Sequence, residues 1–262
     1  MALNQQRAYL SKMDESNTIY RIHAACREGH VSDVESLLSA NPKLAQQKDD
    51  DSRLPLHWCL TAPSPSALAI LELLSALPRF DPDAEDGSGW TPLMIAASLP
   101  SSNADAVEMI RLLRQKGADI EAKNKAGQTA LFFACSKSNL DVVRQLIASG
   151  ASVRFSDSRK QTPLHRAAAV GAVPILQLLM EKRAALNGQD RDGFTALHHA
   201  ISEGHGDAAM CLLEAGADSD KVDSEGHVAM ELCPDKMIRD SVVTECRRGE
   251  IDLCLKKKKD EG

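Results

Sequence analysis

The sequence predicts an all-α solenoid of about seven helix-turn-helix units joined by hairpin loops. One short pattern recurs along the 262-residue chain and is clearest at Thr162-Pro-Leu-His165 and Thr195-Ala-Leu-His198. When the first residue of each copy is taken as its origin, the last four origins are each 33 residues apart. A fixed period of this length is typical of stacked supersecondary units. The seven origins are Tyr20, Leu54, Thr91, Thr129, Thr162, Thr195 and Val228.

The unit from Gln161 to Ala184 shows why each part should fold as it does. Thr162 suits a helix N-cap, and Pro163 suits the first helical position. Gly171 ends the first helix, and a second apolar run follows it. Apolar residues recur three or four positions apart, so each helix buries one face. They are Leu164, Ala167 and Ala168 in the first helix and Ile175, Leu176, Leu179 and Met180 in the second.

Most second helices should end at the glycine of a Gly-Ala pair, because glycine readily adopts the positive φ of a helix end. Repeat 5 departs from this rule and has Arg183 in that place. Segments rich in proline and serine, residues 62–66 and 99–104, predict longer turns between the helices of repeats 2 and 3. The predicted glycine ends are Gly117, Gly150 and Gly216.

Composition argues against several classes of function. The net charge of -6 disfavours a general nucleic-acid binder. No apolar run approaches the ~18 residues of a membrane span and no signal peptide opens the chain, so we expect a cytoplasmic protein that can also enter the nucleus. Seven scattered cysteines fit buried thiols in a reducing compartment. Without a GxSxG, HExxH or glycine-rich phosphate motif, we expect no enzyme activity and no cofactor.

The histidines follow the repeat and do not group as metal ligands. Four of the eight lie three residues after an origin, where we expect the ring to hydrogen-bond the neighbouring loop. His30 and His205 each follow a glycine that ends a helix. The four at position +3 are His23, His57, His165 and His198.

With Thr-Pro-Leu-His at this period, the pattern resembles the ankyrin repeat over residues 20–235. The resemblance implies a stack in which each unit buries its leucines only against its neighbours. Residues 1–19 are expected to form an N-terminal extension or cap and residues 236–255 a C-terminal cap. Residues 256–262, which include four lysines, are expected to form a charged tail.

In an ankyrin stack, the hairpin tips and the first helices line a concave face, which is the usual binding surface. Counting from the origins places Trp58 at +4 and Trp90 at -1, both on this face. Packing in the core is the simpler role for tryptophan, but the core positions hold alanine and leucine, and tryptophan is enriched at binding hot spots. The same counting adds Phe133, Arg166 and His199 at +4.

Charge is ordered along the same face. These charges either form a scattered solvated surface or complement the acidic and basic patches of a partner. Complementary patches would set the orientation of the bound partner and speed its association. The basic middle comprises Lys137, Lys160 and Arg166, the acidic C-terminal end comprises Asp192, Glu203 and Glu225, and the N-terminal end combines Asp51 with Arg53.

Four segments carry a closer likeness: residues 50–58, 89–93, 134–137 and 164–169. Their sequences DDSRLPLHW, GWTPL, ACSK and LHRAAA together resemble the gankyrin family, ankyrin proteins that escort the proteasome regulatory particle during assembly. The contacts implied by this resemblance are Asp51, Arg53, Trp58, Trp90, Ser136, Lys137 and Arg166. Counting along the repeats adds Phe133, His199 and Glu203 to the predicted site.

The resemblance implies that the partner is the C-terminal domain of the third ATPase of the regulatory particle. The bound chain, a monomer when free, would delay docking of that ATPase on the proteolytic core. The alternative is an ankyrin adaptor or inhibitor of a different partner, such as a kinase or a transcription factor.

Overall fold

A computed structural model describes residues 20–249 as a linear stack of helix pairs. Two short 3-10 helices span Pro42–Gln46 and Ala229–Leu232. The α-helices are α1 (20–28), α2 (Val31–Ala40), α3 (Pro55–Cys59), α4 (Ser66–Ser75), α5 (Pro92–Ala97), α6 (Ala106–Gln115), α7 (Ala130–Ser136), α8 (Leu140–Ala148), α9 (Pro163–Ala169), α10 (Val173–Glu181), α11 (Ala196–Ser202), α12 (Gly206–Glu214) and α13 (Lys236–Arg248).

The helices form two layers. The first helices of successive repeats, α3, α5, α7, α9 and α11, contact one another in order, and the second helices, α4, α6, α8, α10 and α12, do the same. The second 3-10 helix packs on α11, and α13 packs on α12. No β-strand forms within residues 20–249. The predicted all-α solenoid is confirmed.

Small side chains let the first helices pack closely. Alanines such as Ala134 and Ala167 are fully buried, and Cys135 takes the place of an alanine in α7. Leucine and isoleucine side chains from the second helices, including Leu146 and Leu176, close the core from the other side. Burial raises the pKa of the Cys26 thiol to about 12, so this thiol stays protonated and unreactive at neutral pH.

Each of the four histidines at position +3 joins its own first helix to the next loop, as expected. His165 Nδ1 accepts the N–H of Thr162 at 3.1 Å, so Nε2 carries the proton and donates to the carbonyl of Gly188 at 3.1 Å. In repeat 7, Glu231 replaces the histidine, and its carboxylate accepts the N–H of Val228 at 3.1 Å. The same pair of bonds joins His57 to Leu54 and Ala84, and His198 to Thr195 and His227.

One side chain at position -5 shapes each hairpin loop. Asp157 Oδ1, for example, accepts the N–H groups of Arg159 and Gln161, both at 2.8 Å. Because an unpaired backbone N–H is costly to bury, this carboxylate fixes the loop in one conformation. The residues in this role are Asp49, Asp86, Asn124, Asp157, Asp190 and Asp223.

Backbone hydrogen bonds also connect each hairpin tip to the next. The N–H of Ser158 donates to the carbonyl of Ala126 at 2.8 Å, and the N–H of Arg191 donates to the carbonyl of Arg159 at 2.9 Å. Equivalent bonds link the remaining tips, so consecutive loops hold a fixed position relative to one another. They join Gly87 to Asp51, Lys125 to Ser88 and Ser224 to Asp192.

The turns and helix ends follow the expected pattern. The predicted glycine ends have positive φ, such as 99° at Gly150, and Arg183 adopts the same left-handed conformation at 59°. The inter-helix turns of repeats 2 and 3 are longer than the turn of repeat 4, and they contact each other because the Ser64 hydroxyl donates to the Asp105 carboxylate.

Residues 1–19 and 250–262 lie outside the described residues. The N-terminal extension and the lysine-rich tail therefore stay predictions. The domain boundaries at residues 19, 235 and 255 also stay predictions.

Stability should fall with acidification between about pH 6.5 and pH 4. Burial lowers the pKa of His57 and His198, and burial together with nearby His199 lowers the pKa of His165 to about 4. Over this range these histidines bind protons in the unfolded chain but stay neutral in the folded chain. Each of them therefore lowers the free energy of unfolding by up to about 1.4 kcal/mol per pH unit of acidification. Urea unfolding at a series of pH values measures this slope.

The matched variant is His165→Asn. It should be less stable than the wild type at pH 7.5, because it loses the bond to the next loop, but its stability should depend less steeply on pH. An unchanged slope would show that His165 does not contribute to the acid sensitivity.

Arg183→Gly should stabilise the stack by about 0.5–1 kcal/mol, because glycine adopts the left-handed conformation without steric cost. The converse change, Gly150→Ala, should destabilise it by about 1 kcal/mol. An added Cβ at Gly150 meets no atom within 4 Å, so this loss reports backbone strain alone. Chemical denaturation measures both changes in the free energy of unfolding. A destabilised Arg183→Gly protein would show that the left-handed conformation of Arg183 carries no steric cost.

Candidate functional site

The predicted contact residues lie on one side of the stack, which we call the first-helix face. It consists of the outward sides of α3, α5, α7, α9 and α11 together with the hairpin tips before them. Since these helices contact one another in order, position +4 of each contributes to one continuous row of half-buried side chains. The row comprises Trp58, Ile95, Phe133, Arg166 and His199.

Trp58 is half-buried and held in one orientation. Its Nε1 donates to Asp49 Oδ2 at 2.7 Å. The guanidinium carbons of Arg53 and Arg27 lie 5.0 and 5.7 Å from the ring centroid, within cation–π range. The indole is thus neither a core side chain nor a freely exposed one, and one carboxylate and two guanidinium groups hold it in place.

Arg53 connects Trp58 to the next hairpin. Its Nε lies 3.3 Å from Asp86 Oδ2. Burial alone would raise the pKa of Asp86, but the N–H groups of Trp90 and Ser88 and the Arg53 guanidinium lower it. Asp86 therefore stays ionised at neutral pH and holds the arginine in place.

Trp90 and Phe133 form an aromatic pair from neighbouring repeats. Their ring centroids are 4.1 Å apart, with 32° between the ring planes. A cleft of about 230 Å³ is lined by Trp90, Trp58 and Ile95. A second cleft, of about 340 Å³, is lined by Trp58 and Tyr20. Trp58 therefore separates two depressions, each of a size that accepts a partner side chain.

Arg166 lies against the neighbouring repeat. Its Nε donates to Ser136 Oγ at 3.2 Å, and its guanidinium carbon is 5.6 Å from the ring centroid of Phe132. Ser136 Oγ in turn donates to the carbonyl of Phe132 at 3.0 Å. Lys137 is exposed, and its ammonium forms no ion pair or hydrogen bond within residues 20–249. It is thus available to a partner.

His199 belongs to a polar group near the C-terminal end of the face. Its Nε2 lies 2.9 Å from Oδ2 of the buried Asp190, which also accepts a bond from Gln161 Nε2 at 3.2 Å. Burial alone would raise the pKa of Asp190, but these two partners lower it. Glu203 is exposed at the end of α11.

The charge order differs in one place from the prediction. Asp51, Glu203 and Glu225 are exposed as expected. Asp192, however, pairs with Arg159 at 2.8 Å, an arginine that the prediction left out. Among these residues the acidic end therefore presents Glu203 as its free carboxylate, while Glu225 Oε2 lies 3.7 Å from His227 Nδ1.

Sequence reasoning missed the groups that orient the face. Asp49, Asp86 and Asp190 lie behind Trp58, Arg53 and His199, and none of the three was predicted. The signal was present, because an aspartate or asparagine recurs five residues before every origin from Leu54 to Val228.

Two other kinds of site find no support between residues 20 and 249. No three His, Cys, Asp or Glu side chains of this region come together as potential metal ligands. None of its helices has the length and apolarity needed to cross a bilayer.

The sequence is similar to two proteins named as proteasome subunits. The chain is 38% identical over 126 residues to the "Probable 26S proteasome regulatory subunit p28" of Saccharomyces cerevisiae, which covers 47% of this chain and 52% of the relative. It is 33% identical over 91 residues to the "26S proteasome non-ATPase regulatory subunit 10" of Dictyostelium discoideum, covering 35% and 36%. The matched parts thus span about half or less of these relatives. The resemblance to proteasome-associated repeat proteins is confirmed.

A solved structure supports the fold alone. The ankyrin-repeat domain of Bcl-3, an IkappaB family member, superposes with a TM-score of 0.66 at 24% identity, over 86% of this chain and 97% of that domain. The family model for ankyrin repeats in three copies matches residues 62–157 and 141–223, more than half of the chain. The chain therefore belongs to the ankyrin-repeat family.

Proposed function

We propose that this protein is a proteasome assembly chaperone whose first-helix face binds the C-terminal domain of the third ATPase of the regulatory particle. The protein acts by binding, with no catalytic step and no cofactor. Its similarity to two proteins named as proteasome subunits supports the partner class. The row of oriented aromatic and arginine side chains supports the binding surface.

The observation that carries the proposal is the fixed position of Trp58. Tryptophan and arginine dominate binding hot spots, and a side chain that is already ordered loses little entropy when a partner docks. Asp49, Arg27 and Arg53 hold the Trp58 ring before any partner arrives. The clefts on its two sides offer places for partner side chains.

The exposed charges contribute orientation and rate. Asp51, Lys137 and Glu203 lie at different points along the face and are open to solvent. Charges at the rim of an interface steer encounter and penalise a reversed orientation more than they add affinity. A partner with a complementary series of charges would therefore dock in one direction along the stack.

The chaperone acts by occupying space. While the stack covers the C-terminal domain of the ATPase, that domain does not dock on the proteolytic core, and docking follows release. The free protein is a monomer of the cytoplasm with access to the nucleus.

Trp58→Ala combined with Lys137→Glu should abolish binding to the ATPase C-terminal domain without unfolding the stack. Loss of a tryptophan hot spot costs 2 kcal/mol or more, and together with a reversed charge we expect a loss of about 100-fold or more in affinity. Isothermal titration calorimetry measures this, and circular dichroism checks the fold.

The matched control is Phe155→Ala with Lys182→Glu, which also removes one aromatic ring and reverses one lysine. Both residues are exposed and outside the first-helix face. The control should bind like the wild type. Unchanged affinity of the Trp58→Ala/Lys137→Glu protein would refute the assignment of this face. Binding of the wild-type protein to a kinase or transcription factor, in place of the ATPase domain, would support the adaptor function.

A further inference from the structure

Three consecutive hairpin tips carry exposed cations, which we call the basic ridge: Lys125, Arg159, Lys160 and Arg191. The tips are held side by side, because Ser158 N–H donates to the carbonyl of Ala126 at 2.8 Å and Arg191 N–H to the carbonyl of Arg159 at 2.9 Å. The four cations therefore lie on adjacent loops of fixed geometry. Lys160 belongs to the basic middle of the charge series predicted for the first-helix face, but none of the four is among the predicted contact residues.

The basic ridge is short and bounded. The tip of repeat 2 presents Asp50 and Asp51, and the tip of repeat 7 presents Glu225. The whole chain carries a net charge of -6. A long polyanion such as duplex nucleic acid would extend from the cationic tips onto carboxylates, whereas a short acidic segment would not.

Lys160 is the least expected member of the ridge. Its φ of 61° is left-handed, and at four equivalent positions the residue is a glycine with φ between 77° and 89°. A left-handed lysine costs about 1–2 kcal/mol. Its ammonium is exposed and makes no ion pair or hydrogen bond within residues 20–249. Folding alone would favour glycine here. The glycines are Gly89, Gly127, Gly193 and Gly226.

We propose that the basic ridge binds an acidic segment of a protein partner, and that Lys160 is present for this contact. Strain at a residue with no structural role is a feature of binding sites. The inference goes beyond the proposed chaperone function and does not depend on it, because none of the four ridge residues is among the contacts proposed for the ATPase domain.

The ridge offers two kinds of cation. Lys160 and Arg191 make no side-chain ion pair with the described residues, so they can receive carboxylates directly. Lys125 Nζ donates to the carbonyl of Gly87 at 2.7 Å, and Arg159 pairs with Asp192 at 2.8 Å. An incoming carboxylate would compete with Asp192 for the Arg159 guanidinium. Since exposed pairs are individually weak, recognition needs several carboxylates spaced to match adjacent tips.

A fluorescein-labelled peptide of six glutamates, titrated with the full chain and followed by fluorescence anisotropy, tests the proposal. Wild-type protein should bind saturably, and more weakly as salt is raised, because the contacts are exposed charges. Lys160→Gly should weaken binding about threefold while leaving the thermal midpoint unchanged or higher. Lys160→Glu with Arg191→Glu should weaken it about tenfold or more.

Arg111→Glu with Arg144→Glu is the matched control, because it changes the net charge equally on exposed parts of α6 and α8. It should bind the peptide like the wild type. Equal weakening by this control, or no saturable binding by the wild type, would overturn the proposal. A lower thermal midpoint with unchanged binding in Lys160→Gly would make Lys160 structural. Tighter ridge-dependent binding of a single-stranded oligonucleotide or an anionic vesicle would assign the ridge to another partner class.

Discussion

The backbone of each hairpin loop is held by a single side chain, and the rest of the stack depends on this interaction. At position -5 of each loop, a carboxylate or amide oxygen accepts two backbone N–H groups, as Asp157 does at 2.8 Å from both Arg159 and Gln161. Four of the six loops also offer a carbonyl to a histidine of the preceding repeat, as the Asp190 loop does to His165. Adjacent repeats are thereby set at a fixed offset, and equivalent positions of successive helices line up on one face.

The same carboxylates also orient the candidate binding surface. In Asp49, Asp86 and Asp190, the second carboxylate oxygen is not bonded to the loop backbone. It contacts a side chain of the face instead: Trp58, Arg53 and His199, respectively. The same carboxylate thus fixes the loop backbone and orients a residue of the candidate binding surface. In repeat 4, where Asn124 replaces the aspartate, the spare amide donates to Gln128 of the same loop, and the aromatic pair of Trp90 and Phe133 orders that part of the face.

The repeat period explains which features could be predicted from sequence. Residues such as Thr162, Pro163 and Gly171 indicate helix ends by their local conformational preferences. The spacing of 33 residues then assigns every residue to a position within its repeat. The bonds of the +3 histidines to the next loop followed from position. The partners of the charged and aromatic side chains on the face did not, because they depend on which side chain the neighbouring repeat supplies. The cation–π contact of Arg27 with Trp58, and the ion pair of Arg159 with Asp192, each join two repeats and were found only in the structure.

The most direct measurement of the central claim is a crystal structure of the full chain bound to the C-terminal domain of the proteasomal ATPase. We predict that the ATPase domain covers Trp58, Trp90 and Phe133, with partner side chains in the two clefts beside Trp58. In this complex Asp49 and Asp86 should keep their bonds to Trp58 and Arg53. A complex in which the ATPase domain contacts the second helices, α4 to α12, and leaves Trp58 exposed would contradict it.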